Sequence, residues 1–214
     1  MYKKKPFFIV FEGVEGCGKS FQSKKLLNNL KKKRIPALLT REPGGTKSAE
    51  LIRNLILKDY FNHDSKEKFD KYTDTLLYLA ARNEHIKNKI DPALKKKSVV
   101  ICDRFTDSTL AYQVYGKNVN INFINNIHKF ILGKNKPNLT FVLKVSTETS
   151  KKRLKKRKTK NRYDNFAQNF YSKAQNSFLK IAKNKKNYFV LNSSKNDSNL
   201  EKKIFKIVSS YLKI

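Results

Sequence analysis

Eight consecutive residues, Gly13-Val14-Glu15-Gly16-Cys17-Gly18-Lys19-Ser20, fit the pattern G-x-x-x-x-G-K-[ST] at every fixed position. Glycines so placed let backbone N–H groups close around phosphate oxygens, and a helix starting at the lysine adds the positive end of its dipole. Lys19 then reaches the β- and γ-phosphates of a nucleotide and the Ser20 hydroxyl ligates Mg²⁺, so the stretch from Gly13 to Phe21 reads as a nucleotide-phosphate-binding loop. A second group, Asp103-Arg104-Phe105, directly follows the apolar run Ser98–Cys102, at a strand end of the kind where open α/β sheets bind ligands. Asp103 can hold the metal's water shell, and Arg104 can bridge the phosphates of two bound substrates. The loop alone leaves open a switch protein, an ATPase or a kinase of small molecules.

Arginine usage adds an independent signal. Of 48 basic residues only eight are Arg, at positions 34, 41, 53, 82, 104, 153, 157 and 162. A chain that otherwise uses lysine keeps arginine where planar, two-pronged clamping of phosphate or a base edge is required. Arg41 opens the loop Arg41-Glu42-Pro43-Gly44-Gly45-Thr46 after a second apolar run. Arg153, Arg157 and Arg162 lie in or just after the dense basic stretch Lys151–Lys160, which reads as a cationic lid.

Positioning these groups requires strands that alternate with helices. Short continuous apolar runs at Pro6–Phe11, Ala37–Thr40, Ser98–Cys102, Leu139–Val145 and Tyr188–Leu191 read as strands covered on both faces. Helical patterns occupy Lys19–Lys33, Lys47–Lys58, Phe69–Lys89, Asp107–Val114, Ile121–Leu132, Thr147–Lys156, Asp164–Lys183 and Asp197–Leu212. The alternation predicts a parallel α/β sheet in one domain, residues 1–214.

With 214 residues, 39% of them hydrophobic, 15 Phe and 10 Tyr, the chain can bury a core and is not of disordered composition. No apolar run approaches the roughly 20 residues of a membrane helix. The run Pro6–Phe11 is too short for a secretory signal and is closed by Glu12, so a cytoplasmic location without a membrane partner is expected. Two cysteines, Cys17 and Cys102, form no disulfide framework and have no metal-ligand spacing. Cys17, among loop N–H groups and beside Lys19, has two readings: a small residue chosen for fit, which is favoured, and a readily ionised thiol that ATP would protect. The net charge of +31 prompts a nucleic-acid reading. However, Lys, Asn, Ile, Phe and Tyr are abundant together and share AT-rich codons, and no aromatic-interleaved basic platform is present. No specific nucleic-acid partner is expected.

Four further motifs stand in register with the loop: Thr40-Arg41-Glu42-Pro43-Gly44-Gly45-Thr46; Ala80-Ala81-Arg82; Asp103-Arg104-Phe105 with Ser108, Thr109 and Ala111-Tyr112-Gln113; and Pro137-Asn138-Leu139-Thr140. In order and spacing the chain resembles bacterial thymidylate kinases from about Phe7 to Asp164. The resemblance implies a P-loop NTPase-type five-stranded parallel sheet with helices on both faces and a mobile basic lid at about 150–163. It further implies a homodimer that transfers the γ-phosphoryl group of ATP to dTMP with Mg²⁺. Carried over, Glu15 lies near the deoxyribose and acceptor phosphate, and Arg41, Arg53 and Arg104 bind that phosphate. Tyr78 stacks on thymine, Arg82 meets a base carbonyl, Ser108 and Thr109 meet the base edge, and Tyr112 packs near the sugar. Pro43 and Gln113 complete the dTMP site. Because Val14, Glu15 and Cys17 leave the loop without an arginine, the resemblance implies that the lid supplies the catalytic cation from Arg153, Lys155, Arg157 and Arg162, with Arg153 and Arg157 favoured beside Lys19 and Arg104. The chain departs from the family at Val114-Tyr115-Gly116-Lys117-Asn118, and at Asn138, Lys144 and Asn161, where aspartate is usual. The competing readings are a kinase for another nucleoside monophosphate and a nucleic-acid-associated P-loop ATPase.

Overall fold

Each apolar run becomes a strand; the three central ones are covered on both faces, the condition that a parallel sheet sets, while the edge runs at 37–41 and 188–192 are only partly buried. The computed structural model describes residues 5–58, 68–156, 168–195 and 197–214. Its strands are β1 (Phe7–Glu12), β2 (Ala37–Arg41), β3 (Val99–Asp103), β4 (Leu139–Lys144) and β5 (Tyr188–Asn192). They are all parallel, in the order β2-β3-β1-β4-β5, so the expected α/β sheet is the fold. The helices are α1 (Lys19–Lys32), α2 (Lys47–Leu57), α3 (Lys71–His85), α4 (Asp91–Lys95), α5 (Thr106–Thr109), α6 (Tyr115–Lys117), α7 (Ile121–Leu132), α8 (Thr147–Lys155), α9 (Gln168–Ala182) and α10 (Ser198–Leu212).

Central strand β1 shows how the core divides. Its side chains alternate between faces. Phe7, Ile9 and Phe11 join a large cluster with Leu26 and Leu30 of α1, Phe178 of α9 and Ile204 and Val208 of α10. Phe8 and Val10 face the other way, with Ile86, Ile90, Val100, Cys102 and Phe105. Phe8 meets Phe105 edge-on at 5.0 Å between ring centroids, which ties the Asp103-Arg104-Phe105 turn to the core beneath it.

Register brings the motifs to one rim. Phe11 pairs with Asp103, and Asp103 pairs with Arg41. The loops leaving β1, β3 and β2 therefore start side by side at the C-terminal edge of the sheet.

Two helical predictions are corrected. The segment expected as one helix over 69–89 is α3, which passes through a π-helical turn at Ile86–Ile90 into the unforeseen α4. Pro92 in the first turn of α4 needs no N–H there, so it extends the helical path instead of ending it. The helix expected over 107–114 is α5, a π-helical turn at Leu110–Val114, then α6. That turn carries Tyr112 and Gln113, in keeping with the tendency of π turns to mark functional positions. Among the described residues no helix is long and apolar enough to cross a membrane.

Candidate active site

The loop after β1 leads into α1 at Gly18, whose φ of 94° is left-handed and whose position carries no side-chain cap. Glycine meets that conformation without strain, and the uncapped first turn keeps its N–H groups for an anion. Lys19 folds back over the loop and donates to Gly13 O at 3.0 Å and Val14 O at 2.9 Å, with Cys17 Sγ at 3.6 Å. The Ser20 hydroxyl donates to the Asp103 carboxylate.

A cavity of about 580 Å³ opens over this rim. It is lined by Glu15, Gly16, Gly18, Lys19, Ser20, Phe21, Arg41, Pro43, Arg53, Tyr78, Arg82, Asp103, Arg104, Ser108, Thr109, Tyr112, Gln113 and Arg153 from the expected set. Gly13, Val14 and Cys17 are absent from the lining. Val14 and Cys17 turn their side chains into the core, Cys17 being 0% exposed, so the loop offers a ligand only their backbone. This burial favours the reading of Cys17 as a small residue chosen for fit over that of a reactive thiol. A Cβ added at Gly13 would lie 2.9 Å from Cys17 Sγ and 2.6 Å from Leu143 O, which shows how tightly the thiol is packed beneath the loop.

Arg104 is the hinge of the acceptor side. Its φ of 74° is left-handed, a conformation that costs a non-glycine residue about 1 kcal/mol or more. The fork it presents is held at three points: Nη1 donates to Gly13 O at 2.9 Å and Ser108 Oγ at 3.1 Å, and Nη2 donates to Glu15 Oε1 at 2.8 Å. The guanidinium lies 5.3 Å from the Tyr112 ring centroid, and the Tyr112 hydroxyl donates to Glu15 Oε2 at 2.6 Å. Burial pushes the Glu15 carboxyl up, but Arg104 and then Lys19 outweigh it and hold it below the ordinary range. Beneath this group Glu12 accepts from Phe105 N at 2.8 Å, Ser108 N at 3.2 Å and Ser108 Oγ at 2.6 Å. Burial, then Asp107, push its carboxyl up to about 7.

Arg41 and Arg53 approach from the β2 side. Glu50 takes Arg41 Nη2 at 3.2 Å and Arg53 Nε at 3.8 Å, and its other oxygen takes Gly45 N–H at 2.9 Å. Arg53 Nη1 donates to Pro43 O at 2.6 Å. Burial, then Arg41, and further on Arg104 lower the Arg53 guanidinium from its ordinary value. Three arginines crowding one space is the electrostatic mark of an anion site.

Deeper in, Arg82 is 3% exposed. It donates from Nε to Glu42 Oε2 at 2.7 Å, from Nη1 to Thr109 Oγ1 at 2.8 Å and His128 Nε2 at 2.9 Å, and from Nη2 to Phe105 O at 2.9 Å. Glu42 also bonds His85 Nδ1 at 3.0 Å, and His85 Nε2 meets Thr40 Oγ1 at 2.6 Å. Gln113 lies buried against the cavity with no partner for Nε2 among the described residues, so a donor is available there for a ligand.

Burial, then Arg82, lower His128 from 6.5 to about 3. The folded protein thus keeps this ring neutral while the unfolded chain protonates it below pH 6.5. The resulting stability is complete above pH 6.5 and is lost as pH falls toward 3, by at most about 1.4 kcal/mol per unit. In His128→Gln that contribution is absent, so thermal melts from pH 7 to 4 are expected to show the gap between wild type and variant narrowing as acid is added.

Arg153, expected as a catalytic cation, has its guanidinium held by backbone carbonyls. Its Nη1 donates to Gly16 O at 3.1 Å and its Nη2 to Ser193 O at 3.0 Å and Ser194 O at 2.6 Å. In this structure it braces the loop after β1 against the end of β5 while it lines the cavity. Arg157 and Arg162 lie outside the described residues, as does half of the expected lid at 150–163.

Glu12, Glu42, Glu50 and His128 were not foreseen. The signal that singled out arginine would also have found the acids, because a chain with only 17 Asp+Glu against 48 Lys+Arg keeps carboxylates where they bond something.

Among the described residues no group of three or more His, Cys, Asp or Glu gathers to hold a metal. A hydroxyl and a carboxylate in contact, Ser20 and Asp103, form a sparse set of hard oxygen donors. Such a set fits Mg²⁺, which keeps waters and takes substrate phosphates as its remaining ligands.

Comparison with known proteins agrees with this geometry. The family model described as thymidylate kinase matches residues 11–204. The thymidylate kinase of Wolbachia pipientis is 41% identical over 177 residues, 82% of this chain and 84% of the relative. That of Mycoplasma capricolum is 37% identical over 210 residues, 96% of each chain. A crystal structure of thymidylate kinase from Ehrlichia chaffeensis superposes with a TM-score of 0.74 at 28% identity, covering 95% of this chain and 99% of the other.

Proposed function

The chain belongs to the thymidylate kinase family and transfers the γ-phosphoryl group of ATP to dTMP, and from that premise we propose how its residues divide the work. The observation that carries the assignment is the single cavity shared by Lys19, Ser20 and Asp103 on one side and Arg41, Arg53 and Arg104 on the other. The loop Gly13–Ser20 with Phe21 holds ATP, and Arg41, Arg53 and Arg104 hold the dTMP phosphate. Tyr78, Arg82, Ser108, Thr109 and Gln113 surround the base, with Pro43, Glu15 and Tyr112 beside the sugar and phosphate. The unpartnered Gln113 amide and the half-buried Tyr78 ring support the base assignment.

An acceptor that is already a phosphate anion needs no general base, and the obstacle is repulsion between two anions. Fixed guanidinium groups on one side and the Lys19 ammonium on the other offset that repulsion and bring donor and acceptor into line. Glu15 contributes by holding Arg104 and Tyr112 in place before substrate arrives. Ser20 and Asp103 would hold Mg²⁺, which when bound with ATP supplies neutralising charge at the phosphates. Asp103→Asn is expected to raise the Mg²⁺ concentration giving half-maximal rate by about tenfold, the size of one lost charged contact, as read from a Mg²⁺ titration at fixed ATP.

The chain works as one domain, with segment 150–163 as its lid. A homodimer is supported by α2 and α3, which pack on each other and leave Leu51, Leu55 and Leu76 exposed at 69%, 43% and 47%. Light scattering is expected to give twice 25.0 kDa, and a monomer at assay concentration would count against it. The reaction's substrates and the free thiols Cys17 and Cys102 support a cytoplasmic location.

The two competing readings are not favoured by these relationships. ADP release measured across a panel of nucleoside monophosphates, with and without polynucleotide, tests the assignment. dTMP is expected to be the best acceptor with no polynucleotide stimulation, and a better response to another acceptor or to polynucleotide would overturn it.

A further inference from the structure

We propose that His128, on α7, is a positioning residue for base recognition, acting as the neutral acceptor that fixes Arg82 so that one guanidinium N–H is left for the bound pyrimidine. This rests on the reading above that Arg82 meets the base.

A guanidinium has five N–H donors and no acceptor. Four of those on Arg82 are committed to Glu42, Thr109, His128 and Phe105 O. One N–H on Nη2 has no partner among the described residues, while Arg82 itself lines the cavity. Direction at that last donor is set by the other four bonds, because the group is planar and its forks move together.

Among those four partners His128 is distinctive. Glu42 and Thr109 sit on the cavity side in segments that carry other site residues, and Phe105 O belongs to the turn that holds Arg104. His128 alone reaches Arg82 from α7, outside the cavity lining. Because Arg82 can only donate, the Nε2 atom facing it must present a lone pair, which places the ring proton on Nδ1. The ring is 8% exposed. An N–H at Nη1 that lost this acceptor would have little water to turn to, and it would be satisfied only if the guanidinium swung toward another partner and carried the free Nη2 donor off its line.

The consequence is a defect in acceptor binding and not in chemistry. In His128→Leu the KM for dTMP is expected to rise about tenfold, the cost of one charged hydrogen bond, with kcat at saturating dTMP and the KM for ATP within about twofold of wild type. His128→Gln, whose amide oxygen can occupy the place of Nε2, is expected to restore most of the loss. If His128→Leu does not fold, His128→Met is read in its place. Arg82→Lys measured alongside separates the two layers. A dTMP KM raised in Arg82→Lys but unchanged at His128 overturns the positioning role alone. Unchanged values in both overturn the reading of Arg82 as well. Equal losses in kcat and in the KM for ATP, or a glutamine variant as impaired as leucine, would reduce His128 to a packing residue and overturn the proposal.

Discussion

Replacing Arg104 with alanine lowers turnover on dTMP by about a hundredfold or more, the effect of deleting one preorganised charge-stabilising donor. The reason is the degree of preparation at this residue. Its backbone is held at φ 74°, and its fork is pinned by Gly13 O, Ser108 and Glu15 with the Tyr112 ring below. Such a group meets the acceptor phosphate without reorganising. The measurement needs one control, because truncation also strands Glu15, whose carboxylate has a side-chain exposure of only 12%. Removing one partner of a buried ion pair costs about 3–5 kcal/mol, and an unstable enzyme could imitate a catalytic defect. The double variant Arg104→Ala/Glu15→Gln is therefore expected to regain thermal stability without regaining turnover. Arg104→Lys keeps the charge but loses the two-pronged geometry, and its turnover is expected to lie between alanine and wild type. Near-normal kcat in a folded Arg104→Ala enzyme would remove Arg104 from the site.

The second large effect belongs to Lys19. Lys19→Ala is expected to lower kcat by about 10²–10³-fold while dTMP affinity, read by calorimetry without ATP, stays within about twofold. In the structure the ammonium is held by two carbonyls and the thiol of its own loop. Those acceptors are neutral, so a bound phosphate takes their place at a favourable charge exchange. Nothing distant depends on the amine, so the variant should melt close to wild type. A Lys19→Ala enzyme that loses dTMP binding as strongly as turnover would show that the lysine serves the acceptor instead of the donor.

Much of this was legible because the signals are local. A continuous apolar run followed by glycines yields β1 and its loop. What stayed hidden is non-local. Glu12 closes the apolar run and so looks like the residue after the strand, yet it is the last residue of β1 and fully buried. Its partners, Phe105 and Ser108, stand 93 and 96 positions away, and nothing near Glu12 announces them. Arg153 was legible only in part. Density of charge says that a segment is cationic but not whether one guanidinium faces a ligand or, as here, three backbone carbonyls. Cys17 kept two readings because its sequence neighbours do not say that the loop's backbone turns toward the ligand while this side chain turns into the core.

A crystal of the protein with dTMP and a non-hydrolysable ATP analogue tests the assignment of the cavity most directly. The dTMP phosphate is expected within hydrogen-bond distance of Arg104, the analogue's terminal phosphate on Lys19, and the base between Tyr78 and Gln113. A dTMP molecule whose phosphate lies beyond reach of Arg41, Arg53 and Arg104 would contradict it.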